Sequence, residues 1–192
     1  VAQSTIPEIN LALKNALRPL KSMFSAGKFS GQGGDHAFIT DKLSQLPKIF
    51  DGYSSQLEEA HSLLLSWREI NLLPICFIHG DYWLANLLFD EKLNVSAIID
   101  WDRCREEGVA LFDALHLLVA TVASVEKKNF GEVLTDIWEE ADNIIIKEFK
   151  KELYKDSQYP KNAFEYVAIL LWLTYLWNAH LDGLPDDEQW LD

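Results

Sequence analysis

Residues 77–89 read FIHGDYWLANLLF: a His-Gly-Asp, then an asparagine five positions after the aspartate, with apolar residues on both sides. Pro74 sets up the first apolar run, ICFI at 75–78, which leads into His79. A second run, NLLF at 86–89, leaves the motif, and a third, VSAII at 95–99, follows the polar turn DEKLN at 90–94. Runs this short, apolar and bounded by turn residues predict strands, the last two forming a hairpin. The loop between the first two strands turns at Gly80 and re-enters the sheet at Asn86, which brings Asp81 and Asn86 to one edge. Asp100 comes directly off the second hairpin strand, in IIDWD at 98–102, and is expected to project near Asn86.

Around this small β element the pattern is helical. Residues 8–24 carry Ile9, Leu13, Ala16, Leu17, Leu20 and Phe24 at helical spacing, with Pro19 expected to kink or split the helix. Residues 53–70 also read helical, with Leu57, Ala60, His61, Leu64 and Leu65 on one side. After Gly108 the chain predicts helices over roughly 109–127, 130–154 and 161–181, then an acidic, turn-rich tail. The glycine cluster at 31–34 has no strand before it and no Gly-Lys-Ser/Thr after it, so it reads as a flexible turn and not a phosphate loop. The fold class expected is α+β, mainly helical, with 1–192 as a single domain.

Composition removes several functions. The hydrophobic fraction of 48% and charged fraction of 24% are those of a globular domain. Thirty acidic against 17 basic residues give a net charge of −13, and no basic run exceeds a lysine pair, which argues against nucleic acid as a partner. The uncharged run at 166–179 is shorter than the roughly 20 residues needed to span a bilayer and suits a buried core helix. Two isolated cysteines, Cys76 and Cys104, and an N-terminus lacking a basic and apolar leader point to the cytoplasm. The first residue is Val1, not Met, which suggests a fragment or a processed product.

The step Asp81-x-x-x-x-Asn86 is that of a kinase catalytic loop. Phosphoryl transfer explains the residue types. A hard cation must offset charge on the phosphate oxygens, and Mg²⁺ prefers a few oxygen ligands. Asn86 offers a neutral oxygen and Asp100 an anionic one, while Asp81 can accept the proton of an attacking hydroxyl. The block resembles the aminoglycoside phosphotransferase and choline kinase superfamily, whose signature HGDxxxxNxLxD, hairpin and IDxx stands here as His79-Gly80-Asp81, Asn86, Leu88, Asp90 and Ile99-Asp100-Trp101-Asp102. The later Gly108 to Asp113 is similar to the family's Gly-x-x-x-x-Asp. By this resemblance Asp81 is the catalytic base, Asn86 and Asp100 bind Mg²⁺, ATP is the co-substrate, His79 packs under the loop and Asp113 steadies it. Asp102 stands open between a further metal ligand and a solvated neighbour. On the residues alone Asp113 reads as a helix cap, His79 as a core histidine, and Arg103 and Arg105 as surface ion pairs.

The resemblance covers a protein-kinase-like C-terminal lobe only. The 78 residues before His79 contain neither an alternating five-strand pattern nor a Val-Ala-x-Lys strand, so a nucleotide-clamping N-terminal lobe is expected to be missing and the isolated chain to turn over little ATP. Uncovered apolar surface would then favour self-association. The acceptor expected is a small-molecule hydroxyl compound. Trp138, Trp172, Tyr175, Trp177 and Trp190, with Glu139, Glu140, Asp182, Asp186 and Asp187, would suit a cationic one, although the aromatics are also spaced like the buried side of a core helix. The alternative is a non-catalytic kinase-like lobe used for binding or assembly. A metallophosphatase fits poorly, because His36, His61, His116 and His180 lie in none of the contexts its two-metal site would need.

Overall fold

The computed structural model describes residues 5–26, 38–67, 73–139, 142–155, 159, 160 and 162–183. The glycine cluster at 31–34, Glu140 and the tail from residue 184 onward, with Asp186, Asp187 and Trp190, lie outside the described residues. The elements run α1 (Ile6–Ala26), two short helical turns over 38–45, α2 (Leu46–Ile49), α3 (Ser54–Ser66), β1 (Ile75–Ile78), β2 (Leu87–Phe89), β3 (Val95–Ile98), β4 (Arg105–Val109), α4 (Leu111–Glu126), α5 (Phe130–Trp138), α6 (Ile144–Tyr154) and α7 (Ala163–Leu181). The class is α+β and mainly helical, as the sequence predicts.

Helices α4 and α7 organise the core. Both are apolar nearly all round, the composition of central helices, and they pack along one another. α1 and α6 cover one side of α4, α5 fills the angle between α4 and α7, and α2 and α3 lie against α7. Trp67, at the end of α3, stacks nearly parallel on Tyr166 of α7 at 4.8 Å. No helix among the described residues is long and apolar enough to cross a membrane.

The strands form two antiparallel pairs. β2 and β3 make the predicted hairpin, with Leu87 opposite Ile98 and Leu88 opposite Ala97. β1 pairs with β4, with Ile75 opposite Val109 and Cys76 opposite Gly108. A Cβ on Gly108 would lie 2.4 Å from the Ile78 side chain, so glycine lets the two strands close.

Several expectations are corrected. β4, sequence REEGV, is missed, because Glu106 and Glu107 face solvent and leave no apolar alternation to read. The helix expected over 130–154 is two helices. Asn143 stops the pattern by accepting hydrogen bonds from the Ile145 and Ile146 amides, at 3.0 and 3.2 Å, as the cap of α6. α1 does not split at Pro19 and runs as one helix. One turn earlier the Ala16 carbonyl accepts the Tyr82 hydroxyl at 2.8 Å and Asn15 Nδ2 donates to Leu93 O at 2.8 Å, so the stretch expected to break is where the motif loop and hairpin dock. Leu65, placed on one side of α3 with Leu57 and Leu64, is 49% exposed, whereas those two are buried.

Candidate active site

The loop between β1 and β2 is fixed through its backbone before any side chain is placed. The amides of His79 and Gly80 donate to Asp113 Oδ2 and Oδ1, at 2.6 and 2.9 Å. Asp113 lies in the first turn of α4 and is fully buried. Burial pushes its carboxyl up to about 6, against the pull of the two amides, of His79 and of Arg105. Gly80 takes φ +80°, and a Cβ there would sit 2.1 Å from the Arg103 carbonyl oxygen. Only glycine satisfies both conditions.

His79 is buried and both ring nitrogens are engaged. Nδ1 accepts the Asp81 amide at 3.3 Å, which leaves the ring proton on Nε2 to donate to Ile99 O at 2.9 Å. Its ring packs against Trp101 at 4.5 Å and Tyr82 at 5.8 Å. One imidazole thus ties the motif loop to the end of β3.

Asp81 and Asn86 meet as the spacing predicts. A single turn of 3₁₀ helix over Leu84–Asn86 carries the chain back, with the Asn86 amide donating to Trp83 O at 3.0 Å. Asn86 Nδ2 then donates to the Asp81 carbonyl at 2.9 Å and to Asp81 Oδ2 at 3.0 Å. Both partners are acceptors, so the amide can have only this orientation, and its Oδ1 makes no hydrogen bond among the described residues. The Ile99 amide donates to Asn86 O at 3.0 Å, which extends the hairpin ladder one step and sets Asp100 immediately beyond it. Asp100 has φ +64°, the left-handed region, a backbone cost of about 1–2 kcal/mol of the kind found at functional sites. Its carboxylate is exposed and makes no hydrogen bond or ion pair among the described residues.

An amide oxygen on Asn86, just before β2, and a carboxylate on Asp100, just past β3 of the same hairpin, are the oxygen types that fit Mg²⁺. No group of three or more His, Cys, Asp or Glu side chains among the described residues could hold a metal. A magnesium that takes its other oxygens from phosphates and water does not need one. Asp102 is exposed one position past Trp101 and bonds to nothing described.

The capping expectation for Asp113 is overturned. The residue before α4 is Ala110, with no side-chain cap, and both Asp113 oxygens are spent on the loop amides. Arg103 forms the expected ion pair, to Asp182 at 2.5 Å, both half-exposed. Arg105 lays its guanidinium over the Phe112 ring at 5.2 Å. Of the aromatics considered for a cationic acceptor, Trp177 already carries Lys42 at 5.9 Å and Tyr175 is hydrogen-bonded to His116, while Trp138 is exposed.

The sequence reading does not place two residues it names, His116 and Tyr175, beside Asp81. His116 Nε2 lies 3.7 Å from Asp81 Oδ1, and the Tyr175 hydroxyl bonds the same nitrogen. A signal for the first exists, since His116 is three residues after Asp113 and shares its helix face. Tyr175 is 59 positions away on α7, and nothing local announces it.

The model of the APH family, described as a phosphotransferase enzyme family, matches residues 25–142. That stretch is more than half of the chain and includes Asp81, Asn86, Asp100 and Asp113. No curated protein and no solved structure matches the chain significantly. The chain belongs to the APH phosphotransferase enzyme family.

Proposed function

We propose that this chain is the C-terminal, protein-kinase-like lobe of an ATP- and Mg²⁺-dependent phosphotransferase whose acceptor is the hydroxyl of a small molecule. The observation that carries the reading is the double hydrogen bond from Asn86 Nδ2 to Asp81, which spends the amide nitrogen and leaves the amide oxygen as the ligand-binding end of the side chain. Asp81 accepts the proton of the attacking hydroxyl. Asn86 orients that carboxylate through Oδ2 and, with Asp100, holds the metal. Bound there, Mg²⁺ neutralises charge on the phosphate oxygens of the nucleotide. Asp113 and His79 act at one remove: they fix the backbone on either side of Gly80, so that Asp81 does not have to be oriented anew at each turnover.

Such catalysis is largely positioning and electrostatics, so a lobe without its nucleotide clamp binds ATP weakly and turns over little of it. Supplying an N-terminal lobe restores both. For the acceptor, an uncharged, sugar-like hydroxyl compound is favoured slightly over a cation, because the α7 aromatics Trp177 and Tyr175 already have partners.

The test is calorimetric titration of ATP into the chain with and without Mg²⁺, beside Asn86→Ala and Asp100→Asn. Binding that requires Mg²⁺ and is lost in both variants supports the reading. Binding indifferent to the metal, or unchanged in the variants, removes it and leaves a non-catalytic binding lobe. Phosphoryl transfer to a panel of sugars, amino alcohols and aminoglycosides, assayed with both lobes present, then identifies the acceptor.

A further inference from the structure

Two polar side chains beside Asp81 have no part in that mechanism. His116 lies within the apolar run LFDALHLLVATV at 111–122 and is 2% exposed. Its Nε2 lies 3.7 Å from Asp81 Oδ1 and shares a hydrogen bond with the Tyr175 hydroxyl, and its Nδ1 has no hydrogen-bond partner among the described residues. The two rings meet edge-on, 5.3 Å apart at 77°, and Phe130 at the start of α5 backs the Tyr175 ring at 4.7 Å.

Core filling does not account for a histidine here. A buried ring nitrogen without a partner costs about 1–3 kcal/mol, and a leucine or phenylalanine among these leucines would avoid that cost. Desolvation pulls the imidazole below its ordinary value, with the Asp81 carboxylate pulling the other way, so burial favours the neutral ring. What the ring does have is a place. Asn86 holds Oδ2 of the Asp81 carboxylate at 3.0 Å, and His116 covers Oδ1.

We propose that His116 and Tyr175 are a positioning pair for Asp81: the Tyr175 hydroxyl fixes the imidazole, and the imidazole braces the carboxylate from α4 and α7, opposite Asn86. The proposal rests on the reading of Asp81 as the base. With one oxygen tied to Asn86 and the other bounded by the ring, the plane of the carboxylate is set by three elements far apart in sequence. The bland alternative is a buried tie between α4 and α7 that is indifferent to Asp81.

Nitrogen-15 NMR of the histidine rings of the full chain, recorded at one pH, separates the two. Asp81→Asn keeps the shape of the side chain and removes its charge without touching the α4–α7 contact. The proposal expects it to displace the His116 ring-nitrogen resonances, and Tyr175→Phe to displace the carboxyl ¹³C resonance of Asp81. His116 resonances unchanged by Asp81→Asn, with the Asp81 resonance unchanged by Tyr175→Phe, would overturn it. Should Tyr175→Phe not fold, His116→Gln replaces it with the same readout on Asp81. With the nucleotide-clamping lobe present, Tyr175→Phe should also lower kcat roughly tenfold at unchanged KM for ATP. A fall in kcat no larger than that caused by an exposed α7 substitution such as Leu181→Ser counts against the pair. The ring resonances need no turnover, whereas the kinase reading stands or falls on Mg²⁺-dependent nucleotide binding, so the two failures are told apart.

Discussion

At Gly80 two independent requirements fall on one residue: a left-handed backbone and a gap of 2.1 Å between an absent Cβ and the Arg103 carbonyl. Gly80→Ala must move the motif loop or the Arg103 segment. It should cost at least about 2 kcal/mol, the left-handed penalty plus the displacement, a fall in Tm of roughly 4–8 °C for a chain of this size. Thermal unfolding checks this, and an unchanged Tm would mean the loop is not held as described. Asp113 makes a prediction of opposite kind. Its folded pKa, about 6, lies above the ordinary carboxylate value of 3.8, so the native state binds its proton more tightly than the unfolded state does. This contribution to stability is complete below pH 3.8 and is lost as pH rises through 6, by about 3 kcal/mol in all. The stability of the natural chain minus that of Asp113→Asn should therefore fall between pH 4 and 6, measured by urea unfolding, and a rising difference would contradict it. The ionised form is nevertheless the one that accepts both loop amides, so the loop is best set where Asp113 contributes least to stability. The meeting of Asp81 and Asn86 is legible in sequence because a tight loop fixes it, and the short hairpin fixes where Asp100 falls along the chain. Asp113 is legible as present but not as used, since its distance from Gly80 depends on how α4 packs.

Elements carry the site through their ends. α4 contributes Asp113 from its first turn and His116 one turn later, and its far end is tied to α6 by Asn143. The Asn143 side chain caps α6 through Oδ1 and donates from Nδ2 to Glu126 Oε1 at 2.8 Å. Asn143→Ala removes a cap worth about 1 kcal/mol and a helix-to-helix bond of similar size. It should therefore lower urea-unfolding stability by roughly 1–2 kcal/mol while leaving Mg²⁺-dependent nucleotide binding unaltered, because Asn143 touches no motif residue. Loss of binding in step with stability would show that α4 cannot loosen at one end without the other. The same cap explains one error of sequence reading: 130–154 is apolar at helical spacing throughout, and periodicity cannot register a break that one asparagine imposes. β4 escapes for the converse reason. Its glutamates are set by a solvent-facing strand pair, and a two-stranded ladder imposes no alternation on the outer partner. The helical remainder is readable where burial is one-sided, as in α1, whose six predicted core positions are all buried. It is also readable where the apolar run is long and unbroken, as in α7.

Over the whole molecule, apolar exposure is uneven. Among the described residues, exposed large apolar side chains such as Ile6, Trp138, Ile144 and Leu181 are scattered over the helices, whereas Phe77, Trp83, Leu88, Ile99 and Trp101, all on β1, β2 or the segments adjoining β1–β3, form a group 37–49% exposed. These are the elements that carry Asp81, Asn86 and Asp100. If the chain is one lobe of a two-lobed phosphotransferase, this surface is what the nucleotide and the clamping lobe cover, and without them it is available to a second copy of the chain. Sedimentation of the isolated chain should then show association that rises with concentration. Phe77→Ser combined with Leu88→Ser should abolish it while changing Tm little, since exposed substitutions usually cost within about 0.5 kcal/mol. A clamping lobe joined in cis should abolish it equally, and should tighten Mg²⁺-dependent ATP binding in the same protein. A chain that remains monomeric at high concentration, and whose nucleotide affinity is unmoved by an added lobe, would require the β surface to be finished as it stands. The unspent oxygens of Asn86 and Asp100 would then have to serve a ligand that one lobe can hold alone.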